Sequence, residues 1–290
     1  MATEPSTVDA NAALLVARRS RRTALIVPRE HGAWGLLLVP MLTGAAVALR
    51  HGGNVTDFVL LLVAALALFW LRTPLESVLG TSAMRAQDGE ERRLVLWASA
   101  LLSCISIVTL GTLLWGGRNG ALWLIGAAAF VAFAAQAVLK KLGRKTRMLS
   151  EMVGTIGLTA SAPAAYYVIT GKLGMVAGML WLANFLFAGN QIHYVQLRIH
   201  TAKISGVREK FARGWKFAAG QLGMIAAVAA ACFIGWMPWA VVLAFAPVTL
   251  RGYFYFLEPP RPLIVRKLGW SELRQAAVFC ALVSFAFWIA

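Results

Sequence analysis

The chain has 290 residues, of which 59% are hydrophobic and only 14% are charged. Soluble domains carry about 25% charged residues, so this composition argues against an ordinary soluble globular protein. The formal net charge is +16, but the basic residues stand in short groups between apolar stretches, which argues against a nucleic-acid-binding surface.

Residues 1–27 form a polar, Ala-rich segment that contains the basic run Arg18-Arg19-Ser20-Arg21-Arg22. We expect a disordered, basic cytoplasmic arm that contacts lipid. A twin-arginine export signal fits poorly, because Arg29 and Glu30 interrupt the region that would have to be apolar.

The rest of the chain alternates between apolar stretches and short charged loops. A bilayer core about 30 Å thick needs about 20 apolar helical residues to cross it, and the stretches lack the alternation of barrel strands. We therefore predict an all-α, polytopic membrane bundle that forms a single transmembrane domain over residues 28–290. Its nine predicted spans are 32–49, 57–71, 94–116, 120–139, 150–170, 174–197, 217–235, 236–250 and 271–290.

The seventh and eighth spans come from one uncharged run, 217–250. A single helix of that length would measure roughly 51 Å, which is too long for one crossing. The Gly235-Trp236-Met237-Pro238 segment is typical of a turn and divides the run.

The distribution of Lys and Arg predicts the orientation. With the N-terminus inside, 25 of the 28 basic residues lie in cytoplasmic segments, and only Arg50, Arg118 and Lys172 lie outside. Such an asymmetry over short loops indicates orientation. It favours an odd number of spans, with the C-terminus outside, in a bacterial inner membrane.

The entrance to the first span reads Pro28-Arg29-Glu30-His31-Gly32-Ala33-Trp34-Gly35. Trp34 suits the interfacial belt and Glu30 suits the positive end of a helix dipole. Neither reason explains His31, and polar groups at membrane depth are costly. Arg29 and Trp34 are therefore candidate substrate-binding residues, and His31 is a candidate catalytic residue.

The sixth span ends in a group of polar residues. Asn190, Tyr194 and Arg198 recur four residues apart and share one helix face, with His193 beside them. Interhelical hydrogen bonding, with Arg198 reaching lipid phosphate, would explain part of this pattern. We favour a site that faces the bundle interior, in which the three repeating residues bind substrate and His193 is a candidate catalytic group.

Two other loops carry candidate residues. Arg72 and Glu76 end the second span and can pair one helical turn apart, although Pro74 can break the helix. Glu151 opens the fifth span beside a basic loop, which positive-inside topology also explains. Arg72 is a candidate binding residue, and Glu76 and Glu151 are candidate catalytic residues.

Motifs for metals and nucleotides are missing from the sequence, which has no Walker loop, HExxH or dinucleotide fingerprint. Cys104, Cys232 and Cys280 lie in apolar segments without CxxC partners, so we predict no disulfide and no metal site. The cofactor is left unknown.

Three of these segments together resemble the YwiC-like family of bacterial membrane proteins. They are the HGAW entrance at 31–34, the stretch from Ser150 to Tyr167, and the span-six ending with Tyr194 and Arg198. The resemblance covers roughly residues 26 to 270. It implies a multi-pass bacterial membrane protein and no particular activity.

Nine spans with long cytoplasmic loops after the second and sixth also resemble the UbiA superfamily of intramembrane prenyltransferases. That resemblance implies an isoprenoid diphosphate held through Mg²⁺ by two Asp-rich motifs. The only aspartates in this sequence are Asp9, Asp57 and Asp88, and no DxxxD occurs. An Asp-rich Mg²⁺ site is therefore not supported, whereas Arg and Lys can bind phosphate without a metal.

The leading hypothesis is a UbiA-like bundle with a cytoplasm-facing cavity that binds or modifies an isoprenoid or another anionic amphipathic lipid. The alternative is a membrane transporter or a non-catalytic membrane partner protein. Polar groups gathered at the cytoplasmic helix ends, and not at mid-membrane depth, favour the lipid site. The sequence leaves open whether the protein is an enzyme, for which a divergent prenyltransferase is the natural type, and it predicts no nucleic-acid partner.

Overall fold

The computed structural model describes residues 7–27, 31–78, 85–117, 119–143, 146–260 and 262–290. These residues form helices and connecting turns, with no strand among them. The helices, in chain order, are α1 Thr7–Ile26, α2 His31–Leu49, α3 Val55–Val78, α4 Gly89–Trp115, α5 Asn119–Lys141, α6 Arg147–Thr159, α7 Ser161–Thr170, α8 Met175–Thr201, α9 Val207–Phe233, α10 Ala240–Leu257 and α11 Val265–Trp288.

Seven helical segments in the described residues are long and apolar enough to cross a membrane. They are Val55–Val78, Gly89–Trp115, Gly120–Lys141, Arg147–Thr170, Met175–Thr201, Val207–Phe233 and Ala240–Leu257, and Trp34–Leu49 is a shorter apolar helix. The chain therefore has the architecture of a polytopic helical membrane protein. Eight of the nine predicted spans coincide with one helix each, and the fifth covers both α6 and α7. Helices α2 and α11 are not among the seven, so the number nine and the orientation stay predictions.

The chain divides into two compact units. The first comprises Met1–His31 and Val59–Leu113, and the second comprises Gly32–Phe58 and Leu114–Ala290. The sequence pattern had predicted one transmembrane domain over residues 28–290.

In the first unit, α1 is anchored to α3 and α4. The indole nitrogen of Trp70 donates to the Ile26 carbonyl at 2.8 Å. The guanidinium of Arg21 pairs with Glu91 at 2.7 Å, and Leu25 is buried. The segment expected to be a disordered arm thus contains a helix, because its alanines, leucines and arginines are strong helix formers and its basic run finds carboxylate partners.

In the second unit, α2 and α7 approach closely. A Cβ at Gly44 would overlap the carbonyl oxygen of Ala162, and the Ser161 hydroxyl donates to the Leu37 carbonyl at 3.0 Å. Small residues at such a crossing are how membrane helices pack. The segment predicted as span five is interrupted at Ala160, between α6 and α7.

Helix α8 lies at the centre of the second unit, where it packs against α6, α7, α9 and α10. It buries thirteen of its residues, among them Asn184, Asn190 and Tyr194. The predicted turn after span seven is present: α9 ends at Phe233, and Gly235 adopts a φ of 75° before α10 begins. Glycine is suited to that left-handed conformation because it has no Cβ.

Candidate functional site

The polar face of α8 is directed into the second unit. Tyr194 is 3% exposed and Asn190 is 7% exposed, whereas the side chain of Arg198 is 20% exposed. The three residues occupy successive turns, as their spacing predicts. Their surroundings come from α9, α10 and α11, and they form a group of ionic and aromatic side chains.

We call this group the basic cluster. Its members are the polar and charged residues that surround two buried tyrosine rings: Tyr194, Arg198, Thr201, Lys210, Arg251, Tyr255, Glu258 and Glu272. Beneath the rings lie Leu197, Phe217, Ala218 and Phe256, which give the cluster an apolar floor.

Arg251 of α10 connects α8 to α11. Its guanidinium carbon lies 3.9 Å from the centre of the Tyr194 ring. Its two terminal nitrogens donate to the two carboxylate oxygens of Glu272, at 2.6 and 3.1 Å. The two side chains are only 15% and 14% exposed, so Arg251 is held from both sides and serves mainly to position the helices.

Tyr255 is the second centre of the cluster. The guanidinium of Arg198 lies 4.7 Å from its ring centre and the ammonium of Lys210 lies 4.8 Å from it. Its hydroxyl is 2.8 Å from that of Thr201. The quadrupole of one aromatic ring therefore stabilises two cations in a partly desolvated place.

Lys210 is a buried cation, with 2% of its surface exposed. Its ammonium donates to the Glu258 carbonyl at 2.7 Å and lies 3.5 Å from the Tyr255 carbonyl. These carbonyls close the end of α10, where orphan acceptors attract a cation. Lys210 thus fixes the backbone of Glu258.

Arg198 is the cation of the cluster with the longest contacts. It donates to the Tyr194 hydroxyl at 3.4 Å and lies 3.7 Å from the Glu258 carboxylate. Its Nε is buried without a hydrogen-bond partner. A buried donor without an acceptor is costly and uncommon, so this guanidinium has capacity to bind an anion.

An amide pair lies one turn deeper along α8. Asn190 donates to Gln221 of α9 at 2.8 Å, which leaves the Asn190 oxygen and the Gln221 nitrogen buried without partners. A Cβ at Gly252 would overlap the Gln221 amide, so glycine is what lets α10 pack here.

Comparison with known proteins supports the resemblance seen in the motifs. A family model described as YwiC-like protein matches residues 27–166. The chain is similar to the YwiC-like family. A protein of Bacillus subtilis (strain 168) named Uncharacterized protein YwiC is 22% identical over 263 residues, which cover 89% of this chain and 96% of that protein. No solved structure matches the chain.

The family match confirms the YwiC-like resemblance, and it places the HGAW entrance and most of the Ser150–Tyr167 stretch inside the matched region. The basic cluster, from Tyr194 to Glu272, lies beyond that region. The UbiA resemblance rests on architecture alone and stays a prediction.

The candidate residues at the entrance of the first predicted span are only partly described. Arg29 lies outside the described residues, and so does the side chain of His31, whose backbone begins α2. Trp34 is half-buried on α2, in the second unit.

Arg72 and Glu76 form the predicted ion pair, at 2.9 Å, and α3 continues through Pro74. The pair belongs to the first unit, whereas the basic cluster belongs to the second.

Glu151 lies on α6 and His193 lies on α8, and their contacts are away from the two tyrosine rings. Glu151 accepts from Arg147 at 3.1 Å and from Gln196 at 3.3 Å. His193 is half-buried against α9, where a Cβ at Gly220 would lie 3.3 Å from its Nδ1. Among the described residues, no three of His, Cys, Asp and Glu lie together as a metal site would require.

Sequence reasoning missed most of the partners of α8, because it assigned Arg251 and Lys210 to positive-inside loops. One signal was present. Arg251 and Tyr255 are four positions apart, as Tyr194 and Arg198 are, so each of two apolar helices carries an Arg–Tyr pair one turn apart.

Proposed function

We propose that this YwiC-like protein binds an anionic amphipathic lipid, such as an isoprenoid carrying a phosphate, at the basic cluster. The observation that carries the proposal is the state of Arg198, a mostly buried guanidinium with long contacts and an unpartnered Nε. Guanidinium groups form strong bidentate hydrogen bonds with phosphate and carboxylate.

The surroundings suit an amphipathic ligand. The apolar floor of the cluster, with Phe217 and Phe256, adjoins the charged groups, and apolar helices continue away from it. A lipid can therefore place its head group beside Arg198 and its tail among hydrocarbon. Basic side chains near helix ends attract anionic head groups in this way.

The arrangement supports binding more directly than catalysis. Within the cluster, Glu272 is occupied by both terminal nitrogens of Arg251. A general acid or base has to exchange a proton with a ligand, and a doubly paired carboxylate is poorly placed to do so. His31, Glu76, Glu151 and His193 stay candidate proton carriers if the protein is an enzyme.

A lipid-binding titration of the purified protein tests the proposal. We expect dioctanoyl phosphatidylglycerol to bind, and we expect binding to survive EDTA because arginine holds the anion directly. Arg198→Ala should weaken binding roughly 10- to 100-fold, the equivalent of about 1.5–3 kcal/mol for hydrogen bonds to a charged group. Arg198→Lys should recover only part of the loss, because an ammonium lacks the guanidinium fork.

Arg213→Ala is the matched control. Arg213 is 63% exposed and pairs with Glu209 on the surface of α9, so its loss should change affinity less than about twofold. If Arg198→Ala and Arg213→Ala weaken lipid binding equally, Arg198 acts only through the overall surface charge and not as a specific contact. Loss of binding in EDTA would show that a metal holds the head group. If the protein binds none of these lipids but carries a solute across the membrane of proteoliposomes, the alternative hypothesis of a membrane transporter is favoured.

A further inference from the structure

We infer that the basic cluster selects a head group with a single negative charge, such as a phosphodiester or a carboxylate, over a phosphomonoester or diphosphate. The inference rests on the proposed lipid-binding function. It follows from the balance of charges around the two tyrosine rings.

The cluster holds three cations and two carboxylates. Arg198 and Lys210 lie over Tyr255, and Arg251 lies over Tyr194. Glu272 neutralises Arg251 through two short hydrogen bonds, and Glu258 lies 3.7 Å from Arg198. One positive charge is left over, so one negative charge on a ligand completes the balance.

Two carboxylates lie beside the cations of the cluster, and they differ in how firmly they are held. Glu272 is 14% exposed and is held by Arg251. The backbone of Glu258 is bound by Lys210 at 2.7 Å, and its carboxylate lies 3.7 Å from Arg198 on a side chain that is 40% exposed. A second ligand charge beside Arg198 would therefore meet the carboxylate of Glu258 as well as the guanidinium, and like charges repel.

Arg198 is the group that receives the anion. The Nε atoms of Arg198 and Arg251 are both buried and unpartnered. The two terminal nitrogens of Arg251 are occupied by Glu272 at 2.6 and 3.1 Å, whereas the terminal nitrogen of Arg198 makes longer contacts, of 3.4 and 3.7 Å. Lys210 is occupied by carbonyl oxygens. One guanidinium with free capacity matches one head-group oxygen pair, which both a phosphodiester and a carboxylate provide.

The inference makes Glu258 a specificity residue. In Glu258→Gln the cluster gains one net positive charge while the side chain keeps its size. We expect this variant to bind all anions more tightly, and to favour doubly charged ligands by about tenfold over singly charged ones, the scale of one additional charge–charge interaction at a partly buried site.

The test is a set of titrations with lipids whose tails match: dioctanoyl phosphatidylglycerol, dioctanoyl phosphatidate in mildly alkaline buffer, and zwitterionic dioctanoyl phosphatidylcholine. Laurate is added as a carboxylate probe, and all titrations contain EDTA. The protein is the full chain, either wild type, Glu258→Gln or Glu90→Gln. The last is the control, because Glu90 is 78% exposed and pairs with Arg22 in the first unit.

We expect wild type to bind phosphatidylglycerol more tightly than phosphatidate. In Glu258→Gln the difference between the two affinities should shrink or change sign, whereas in Glu90→Gln it should stay as in wild type. Laurate bound as tightly as phosphatidylglycerol would identify the single charge as the recognised feature, whereas weak laurate binding would restrict the class to phosphodiesters. Tighter binding of phosphatidate by wild type, or the same order in all three proteins, would overturn the inference and leave lipid binding intact. Failure of every anion to bind would overturn the proposed function itself.

Discussion

The ion pair between Arg251 and Glu272 should be the most sensitive point of the second unit. Arg251→Met removes two hydrogen bonds of 2.6 and 3.1 Å and leaves the Glu272 carboxylate with the Ser271 hydroxyl at 3.4 Å. Glu272 is 14% exposed, so water replaces the lost partner poorly.

The expected loss follows from this burial. Breaking a buried ion pair by removing one partner costs about 3–5 kcal/mol, because an uncompensated charge remains. The contact of Arg251 with the Tyr194 ring, at 3.9 Å, adds about 1 kcal/mol. For a domain of this size, we expect the Tm in detergent to fall by roughly 6–15 °C.

A double variant separates the charge from the packing. Arg251→Met combined with Glu272→Leu removes both ions and should lose much less stability than Arg251→Met alone, since no unpaired charge is left. Thermal melts followed by tryptophan fluorescence and by aggregation provide the measurement. Arg213→Met, which breaks an ion pair between side chains about 60% exposed, should cost less than about 1 kcal/mol.

Two outcomes would refute the reasoning. A Tm for Arg251→Met no lower than that for Arg213→Met would show that the pair is effectively solvated. A double variant less stable than Arg251→Met would show that packing, and not an unpaired charge, determines the loss.

Three other predictions concern topology and packing. Cysteines placed at Gly206 and Lys172 should differ in intact cells: an impermeant thiol reagent should label position 172 and leave position 206 unlabelled, and the reverse pattern would invert the orientation. Gly44→Val should lower the Tm by the equivalent of about 1–3 kcal/mol, because the added side chain overlaps the backbone of α7; an unchanged melt would mean that α2 can shift. Glu91→Gln removes the main partner of Arg21 and should expose the basic run of α1, so trypsin should cleave there several-fold faster; an unchanged rate would show that Trp70 and the buried Leu25 suffice to hold the helix.

The helices were largely predictable, because membrane length and the absence of charge are local properties of a sequence. The limits of that reasoning are visible in α3. Span two was predicted to end at residue 71, yet α3 continues to Val78, since the Arg72–Glu76 pair lets the helix carry charge beyond the apolar stretch. Hydropathy locates an apolar segment and does not locate the last turn of its helix.

The candidate site was predictable on α8 and not beyond it. Helical spacing placed Asn190, Tyr194 and Arg198 on one face. It could not show that the ring of Tyr194 would meet Arg251, which is 57 positions later in the chain, because contacts between helices depend on how the bundle packs. The paired amide of Gln221 was missed for the same reason.

The separation of Arg251 and Glu272 along the chain has a consequence for biogenesis. The two positions are 21 residues apart, so at about 5–20 residues per second the arginine leaves the ribosome roughly 1–4 s before its partner. During that interval α10 carries a cation without its carboxylate. Helix α11, which is not among the seven described segments long and apolar enough to cross a membrane, brings that carboxylate when it arrives. Each helix thus neutralises the buried charge of the other. A nascent chain interrupted between them would expose the unpaired Arg251 side chain, which membrane quality control could recognise.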